Sequence, residues 1–116
     1  MRRNLVGTAG GVMLTVLVLP LATMAQESEG SALYQSRCAV CHGDTGKGDG
    51  PAGKDRNPRP PDLSDARRMG RITDARLAEV IVKGGDGMPA YGSILKPEEV
   101  QRLVEYLRSL SRPQPG

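Results

Sequence analysis

The clearest hydrophobic pattern of the chain lies close to its C-terminus, where apolar residues recur three and four positions apart, as on one face of a helix. These apolar positions are Val100, Leu103, Val104, Leu107 and Leu110. Pro97 suits the first turn of a helix, and the acidic Glu98 and Glu99 suit its positive end. The sequence therefore predicts a final helix that begins at Pro97, packs one face on a core and is ended by Arg112-Pro113.

A second helical pattern precedes the final helix. Residues 74–83 carry apolar side chains at helical spacing, which we expect to face inward, at Leu77, Val80 and Ile81. Thr73 or Asp74 can cap the N-terminus of this helix, and Gly84 stops it. The glycine-rich run that follows, over residues 84–92, predicts a loop.

The middle of the chain is rich in glycine and proline, which interrupt the helical patterns. Residues 28–41 predict a helix with Ser28 as a possible N-cap, and residues 62–69 predict a short one. Residues 43–53, between these two helices, hold five glycines, and four prolines lie there or just after, at Pro51, Pro58, Pro60 and Pro61. No Val/Ile-rich run predicts a strand, so we expect one small all-α domain. We expect its loops to wrap around the centre of the domain, and its elements not to stack in layers.

The first 25 residues have the composition of an export signal. Arg2 and Arg3 form a positive start, residues 5–22 are apolar, and Ala25 is a small residue suited to signal peptidase. We predict cleavage after Ala25, which leaves a single domain over residues 26–116. A retained membrane anchor is the alternative, because residues 5–22 are about long enough to cross a bilayer.

The net charge of the chain implies no particular partner. The 16 basic and 13 acidic side chains sum to +3. Loss of Arg2 and Arg3 with the signal lowers the basic count from 16 to 14, and the formal charge to +1. We therefore expect neither a nucleic-acid partner nor an anionic membrane surface.

The only two cysteines and the only histidine of the chain lie in one pentapeptide, Cys38-Ala39-Val40-Cys41-His42. Thiols three positions apart can each bond one vinyl group of a single porphyrin, and the adjacent imidazole can coordinate its iron. The motif predicts one haem c attached through Cys38 and Cys41, with His42 as an axial ligand. The haem would also serve as core, because the chain has no Phe or Trp and only three Tyr.

Two other interpretations of the cysteine motif remain open. A Cys-x-x-Cys pair also serves disulfide exchange, although that motif stands beside a βαβ pattern, which this chain lacks. A zinc ion would need a fourth ligand, and the chain has no further Cys or His to provide one.

Haem iron bound by His42 has a sixth coordination position, which a methionine thioether can fill. Met88 lies in the glycine-rich run, where the backbone can approach the haem closely and Pro89 restricts the chain just after the ligand. Met69 lies among basic and polar residues, which favours the surface end of a helix. We therefore predict Met88 as the second axial ligand.

With a haem-attachment motif near the mature N-terminus and a candidate methionine ligand towards the C-terminus, the chain resembles a class I cytochrome c from residue 30 to about residue 110. The resemblance implies an all-α cytochrome c fold in which the N- and C-terminal helices cross and loops wrap one covalently bound haem. Four residues match the family positions that pack at the crossing: Gly30, Tyr34, Leu103 and Tyr106.

The resemblance also implies contacts around the haem. In the family, a proline carbonyl accepts a hydrogen bond from the second ring nitrogen of the ligand histidine, and Pro51 is the candidate here. Arg59 could pair with a haem propionate, the alternative being a solvated side chain. The exposed porphyrin edge of the family lies beside a small apolar patch, expected here at Ala39, Val40, Pro89 and Ala90.

A haem with two protein ligands leaves no open position for a substrate, so the resemblance implies a one-electron carrier without catalytic residues. It would shuttle electrons between a donor and an acceptor protein in the periplasm or another extracytoplasmic compartment. Membrane contact would come only through partner complexes, unless the signal segment is retained. Two alternatives remain: a haem c subunit of a larger oxidoreductase complex, and a haem enzyme or gas-binding sensor with a labile sixth ligand.

Overall fold

The computed structural model describes residues 7, 9–18 and 21–113 of the chain. Its helices, in chain order, are α1 (Leu21–Arg37), α2 (Ala39–His42), α3 (Ala66–Gly70), α4 (Asp74–Lys83) and α5 (Pro97–Leu110). Within those ranges no β-strand forms, and the extended backbone contributes only an isolated bridge between Gly85 and Met88. The predicted all-α class is confirmed.

The predicted export signal over residues 1–25 lies in part outside the described residues, and its cleavage stays a prediction. In the part of the chain that the structure describes, no helix is both long and apolar enough to cross a membrane. Helix α1 begins at Leu21, upstream of the predicted N-cap Ser28. The Ser28 hydroxyl instead donates to the Ala25 carbonyl at 3.1 Å, as serines inside helices do, so that cap prediction is wrong.

The single helix predicted over residues 28–41 is two helices in the structure. Helix α1 ends just before Cys38 and α2 begins just after it. The Cys38 carbonyl accepts hydrogen bonds from the backbone N–H of Cys41 at 3.2 Å and of His42 at 2.9 Å. The cysteine motif therefore forms one compact turn that continues the N-terminal helix after a local distortion.

Helices α1 and α5 cross with their backbones in contact. A Cβ atom on Gly30 would lie 2.5 Å from the Arg102 carbonyl oxygen and 3.1 Å from the Tyr106 Cβ, so only glycine fits there. The ring of Tyr34, fully buried, packs 5.1 Å from that of Tyr106 at an interplanar angle of 50°. Leu103 is buried at the same crossing face. The predicted crossing of the terminal helices is confirmed.

The two middle helices begin and end at side chains suited to those positions. One carboxylate oxygen of Asp65 accepts two backbone N–H groups of α3, at 2.9 and 3.2 Å. The Thr73 hydroxyl accepts the N–H of Arg76 at 3.1 Å and so caps α4, as predicted. Gly84, with φ of 65°, ends α4 where the sequence places its stop.

Arg108 joins α5 to the turn between α3 and α4. Its guanidinium donates to an Asp74 carboxylate oxygen at 2.7 Å, to the Met69 carbonyl at 2.5 Å and to the Ile72 carbonyl. Arginine presents several donors in a fixed planar fork, so one side chain can hold three acceptors of one turn.

The core lies between α1 and α5 and extends beneath α3 and α4. Its buried apolar residues are Tyr34, Ala39, Leu63, Met69, Leu77, Ile81, Leu95, Val100, Leu103, Val104 and Leu107. Val80, expected to face inward, is only half-buried. Met69 is 1% exposed, so its predicted place at the surface is wrong. On the short helix α3 its basic neighbours Arg67 and Arg68 stay exposed while the methionine packs inward.

We expect Leu103→Ala to lower the free energy of unfolding of the haem-loaded protein by about 2–5 kcal/mol, because the side chain is 1% exposed at the helix crossing. Urea denaturation followed by circular dichroism measures this value. The control is Ile94→Ala, which removes apolar volume at a position 54% exposed and should change the free energy by less than about 1 kcal/mol. Equal effects of the two substitutions would contradict the packing assigned to Leu103.

Candidate haem site

The cysteine motif sits half-buried at the end of the N-terminal helix, with Cys38 and Cys41 as free thiols. Burial raises the pKa of Cys38 to about 11, so its thiol is uncharged at neutral pH. Burial lowers the pKa of His42, which keeps the imidazole neutral and leaves one ring nitrogen available to a metal. A neutral imidazole is the form that can bind iron.

The glycine-rich loop of residues 43–53, which follows the cysteine motif, lies directly against the backbone of the motif. A Cβ on Gly50 would lie 2.5 Å from the carbonyl oxygens of Ala39 and Val40, and a Cβ on Gly53 would overlap the Cys41 carbonyl. The Ala52 N–H donates to the Val40 carbonyl at 2.8 Å. The loop therefore covers one side of the motif closely enough that side chains at the two glycines would push it away.

Two further hydrogen bonds hold the turn that carries His42. The buried Tyr34 hydroxyl donates to the Gly43 carbonyl at 2.6 Å, and the Gly48 N–H donates to the His42 carbonyl at 2.7 Å. Burial raises the pKa of Tyr34, so the phenol remains a donor. The histidine backbone is thus fixed both by the N-terminal helix and by the glycine-rich loop.

The Nδ1 atom of His42 is buried and has no hydrogen-bond partner among the described residues. A buried ring N–H without a partner is costly, and ligand histidines in metal sites normally donate from this second nitrogen. The structure does not form the expected bond to the Pro51 carbonyl, and Pro51 is exposed. The role of Pro51 therefore stays a prediction.

Arg59 is engaged with the protein in this structure. Its Nε atom donates to the Gly48 carbonyl at 3.1 Å, which ties the proline-rich connection to the glycine-rich loop beside His42. The side chain is therefore positioned close to the motif, while its pairing with a haem propionate remains a prediction.

Met88 lies in the loop of residues 84–92, which we call the methionine loop. The loop begins with four successive residues of positive φ, from Gly84 to Gly87. Asp86, with φ of 52°, is the only non-glycine residue of positive φ in the described ranges. The N–H of Gly85 donates to the Met88 carbonyl at 3.0 Å, and the Met88 N–H returns a bond to Gly85 at 2.9 Å. The loop thus begins with a tight turn that ends at a half-buried methionine packed against the core.

Tyr91 brings the methionine loop beside the cysteine motif. Its hydroxyl donates to the carbonyl of Arg37 at 3.1 Å, across 54 positions of sequence. Tyr91 lies three residues after Met88, and Arg37 immediately precedes Cys38. The loop that carries Met88 therefore lies beside the end of α1 that leads into the cysteine motif.

Sequence reasoning missed the anchors of the methionine loop. Besides Tyr91, Arg56 holds the loop: its Nη1 atom donates to the Gly87 carbonyl at 2.6 Å. A tyrosine hydroxyl or a guanidinium aimed at a distant backbone carbonyl leaves no periodic signal, so neither contact could be found from spacing. The only hint was that both side chains lie in glycine- and proline-rich segments.

The apolar patch expected beside the haem edge is smaller than predicted. Ala39 is 6% exposed and belongs to the core, because the glycine-rich loop packs over it, so its place in the patch is wrong. Val40 is 50% exposed, and Pro89 and Ala90 are also exposed. These three residues form the apolar surface of the motif and the methionine loop.

Helices that cross at a glycine, with a haem-attachment turn on one and a methionine loop beside it, are the frame of class I c-type cytochromes, and this chain is one of them. A family model described as cytochrome C oxidase, cbb3-type, subunit III, matches residues 25–107, so the chain belongs to that family. It is accordingly an electron-transfer domain that carries haem c.

Curated relatives include two oxidase subunits. The chain is 31% identical over 93 residues to the cbb3-type cytochrome c oxidase subunit FixP of Bradyrhizobium diazoefficiens, covering 79% of this chain and 30% of the relative. It is 33% identical over 90 residues to subunit CcoP of Azospirillum sp., covering 77% and 30%. The chain thus spans about 30% of the length of both relatives.

A solved structure shares the fold as well as part of the sequence. It is the KustC0563 c-type cytochrome, which superposes with a TM-score of 0.64 at 28% identity. The match covers 72% of this chain and 98% of that protein. The cytochrome c fold is therefore confirmed.

We expect Tyr34→Phe to lower the free energy of unfolding of the haem-loaded protein by about 1–3 kcal/mol, because it leaves the buried Gly43 carbonyl without its donor. Tyr106→Phe is the matched control, since the Tyr106 hydroxyl makes no hydrogen bond to the described residues, and it should change the free energy by less than about 0.5 kcal/mol. Denaturant titration of both variants checks the difference, and comparable losses would show that the Tyr34 hydroxyl does not hold the His42 turn.

Proposed function

We propose that the chain carries single electrons as a monohaem subunit of a larger oxidoreductase assembly. One haem c would be bound covalently by Cys38 and Cys41, with His42 and Met88 as axial ligands. The observation that carries the proposal is the hydrogen bond from Tyr91 to the carbonyl of Arg37, because it puts the methionine loop beside the cysteine motif. When bound, the haem supplies an iron that alternates between the ferrous and ferric states.

The residues of the site favour electron transfer over chemistry on a substrate. His42 is neutral and its backbone is held at both ends of the turn, and Met88 follows a turn closed by two backbone hydrogen bonds. If both residues bound the haem iron, they would leave no position at which a substrate could bind it. Electron transfer would then need only a partner protein close to the exposed edge of the haem, and such encounters require little contact area.

The surface beside the site suits a small docking contact. Val40 belongs to the motif, and Pro89 and Ala90 follow the candidate ligand, so all three lie where an electron would leave the molecule. Their side chains are apolar and short, which lets a partner approach closely without ordering long side chains.

The relatives support membership of an assembly better than the free shuttle that was our first expectation. Both FixP and CcoP are named as subunits of a cbb3-type oxidase, and the family model carries a similar description. Because the chain spans about 30% of each relative, it corresponds to one part of such a subunit. Assembly with an oxidase, or with another enzyme that delivers or accepts electrons, is therefore the proposed context.

A free electron shuttle is the second candidate. The KustC0563 c-type cytochrome is matched over 98% of its length, so a c-type cytochrome chain can consist of little more than this domain. Under either function we propose an extracytoplasmic location, because the sequence predicts an export signal ahead of the domain.

Native purification separates the two candidates. We expect the chain to migrate with other subunits after extraction in mild detergent, and to carry one haem per chain by haem absorbance and intact mass. The same mass measurement reports whether the protein begins at Gln26. A lone chain with one haem, in the soluble fraction, would contradict the subunit proposal and support the shuttle; a chain without haem would contradict both.

We expect Ala90→Glu to slow electron transfer to the partner by about tenfold, because a carboxylate in an apolar contact must be desolvated at a cost of about 1.4 kcal/mol or more. The measurement is the re-oxidation rate of the reduced protein by membranes from cells that lack this chain. Ala75→Glu, the same change at an exposed position of α4, is the control and should leave the rate unchanged. Unaltered rates for both variants would remove this surface from the docking site.

A further inference from the structure

The peptide group immediately before Met88 is held on both of its sides. Its N–H, which belongs to Met88, donates to the Gly85 carbonyl at 2.9 Å. Its carbonyl, which belongs to Gly87, accepts the hydrogen bond from Arg56 Nη1 at 2.6 Å. Because a peptide group is planar, two hydrogen bonds on opposite sides fix its rotation about the chain.

That rotation determines the direction in which the Met88 side chain leaves the backbone. Gly87 has φ of 84° and no side chain, so its own backbone dihedral angles resist rotation little. It lies exposed, without the packing that would hold a buried residue. Within the described part of the chain, Arg56 is the only donor to the Gly87 carbonyl, and it comes from outside the loop.

Arg56 is itself anchored to the segment that covers the cysteine motif. Its backbone N–H donates to the Gly53 carbonyl at 3.0 Å, and Gly53 packs directly on the carbonyl of Cys41. The guanidinium therefore joins the covering loop of the motif to the methionine loop, across 31 positions of sequence. A hydrogen bond from a charged donor is stronger than one between neutral groups, which suits it to hold an exposed and otherwise mobile joint.

We propose that Arg56 is a positioning residue for Met88: by fixing the Gly87–Met88 peptide group, it determines how tightly the methionine binds the haem iron. The inference rests on the proposed function, in which Met88 is an axial ligand. Without Arg56 the loop would sample orientations in which the thioether points away, and an external ligand would then compete more easily for the sixth position.

The test is the affinity of the ferric, haem-loaded protein for imidazole, which displaces a methionine from the iron. We expect Arg56→Met to raise the imidazole association constant about five- to tenfold, the size of effect that one charged hydrogen bond at an exposed site can have. The sulfur-to-iron charge-transfer absorption should weaken and the reduction potential should fall, because a looser thioether stabilises the ferrous state less. Arg56→Lys should give an intermediate affinity, since it keeps the charge without the planar fork.

The matched control is Arg67→Met, which removes a cation from an exposed position whose side chain makes no hydrogen bond or ion pair to the described residues. It should leave the imidazole affinity within twofold of the wild type. If Arg56→Met also stays within twofold while it carries haem normally, the positioning role is wrong. If Arg56→Met fails to attach haem, Arg56→Ala, which also removes the donor to the Gly87 carbonyl, replaces it under the same criterion.

Met88→Ala separates a failure of this inference from a failure of the proposed function. Loss of the charge-transfer absorption in Met88→Ala, together with an unchanged affinity in Arg56→Met, would overturn the positioning role alone. Retention of that absorption in Met88→Ala would show that Met88 does not bind the iron, and would overturn the ligand assignment on which the inference rests.

Discussion

The close contact between α1 and α5 at Gly30 is the constraint on which the rest of the structure depends. Because no side chain separates the helices there, Tyr34 lies fully buried with its ring against Tyr106. Its hydroxyl then meets the Gly43 carbonyl, so the crossing fixes the turn that carries His42. In a small domain without Phe or Trp, such a backbone contact replaces part of the core that larger side chains would supply.

The methionine loop is attached to the rest of the domain by single side chains and not by the packing of a helix. Tyr91 reaches the end of α1, and Arg56 reaches the methionine loop from the segment that covers the cysteine motif. Side-chain anchors of this kind let a loop hold a defined shape although its backbone has four consecutive residues of positive φ.

The sequence predictions were mostly accurate for features that neighbouring residues determine, and they were less accurate for features that depend on contacts between distant residues. Helices α4 and α5 were predicted well because the residues at their ends act on the backbone within one turn: Thr73 and Gly84 cap α4, and Pro97 is the first residue of α5. The predictions for Ser28 and Met69 failed, since a serine can bond the preceding helical turn and a methionine among arginines can still face inward. Likewise, Ala39 is adjacent to exposed Val40, yet the distant Gly50 packs over it and buries it.

By itself, the sequence determined which chemically reactive groups are available and where they lie along the chain: two thiols and one imidazole within five residues, and one methionine in the glycine-rich run of residues 84–92. Those features are local, and each depends on residue type and spacing alone. Only the tertiary structure decided how the two halves of the site meet, through Tyr91 and Arg56, and which apolar residues remain exposed. These contacts join residues far apart in the chain, and the positions that they link follow from packing, which no local pattern encodes.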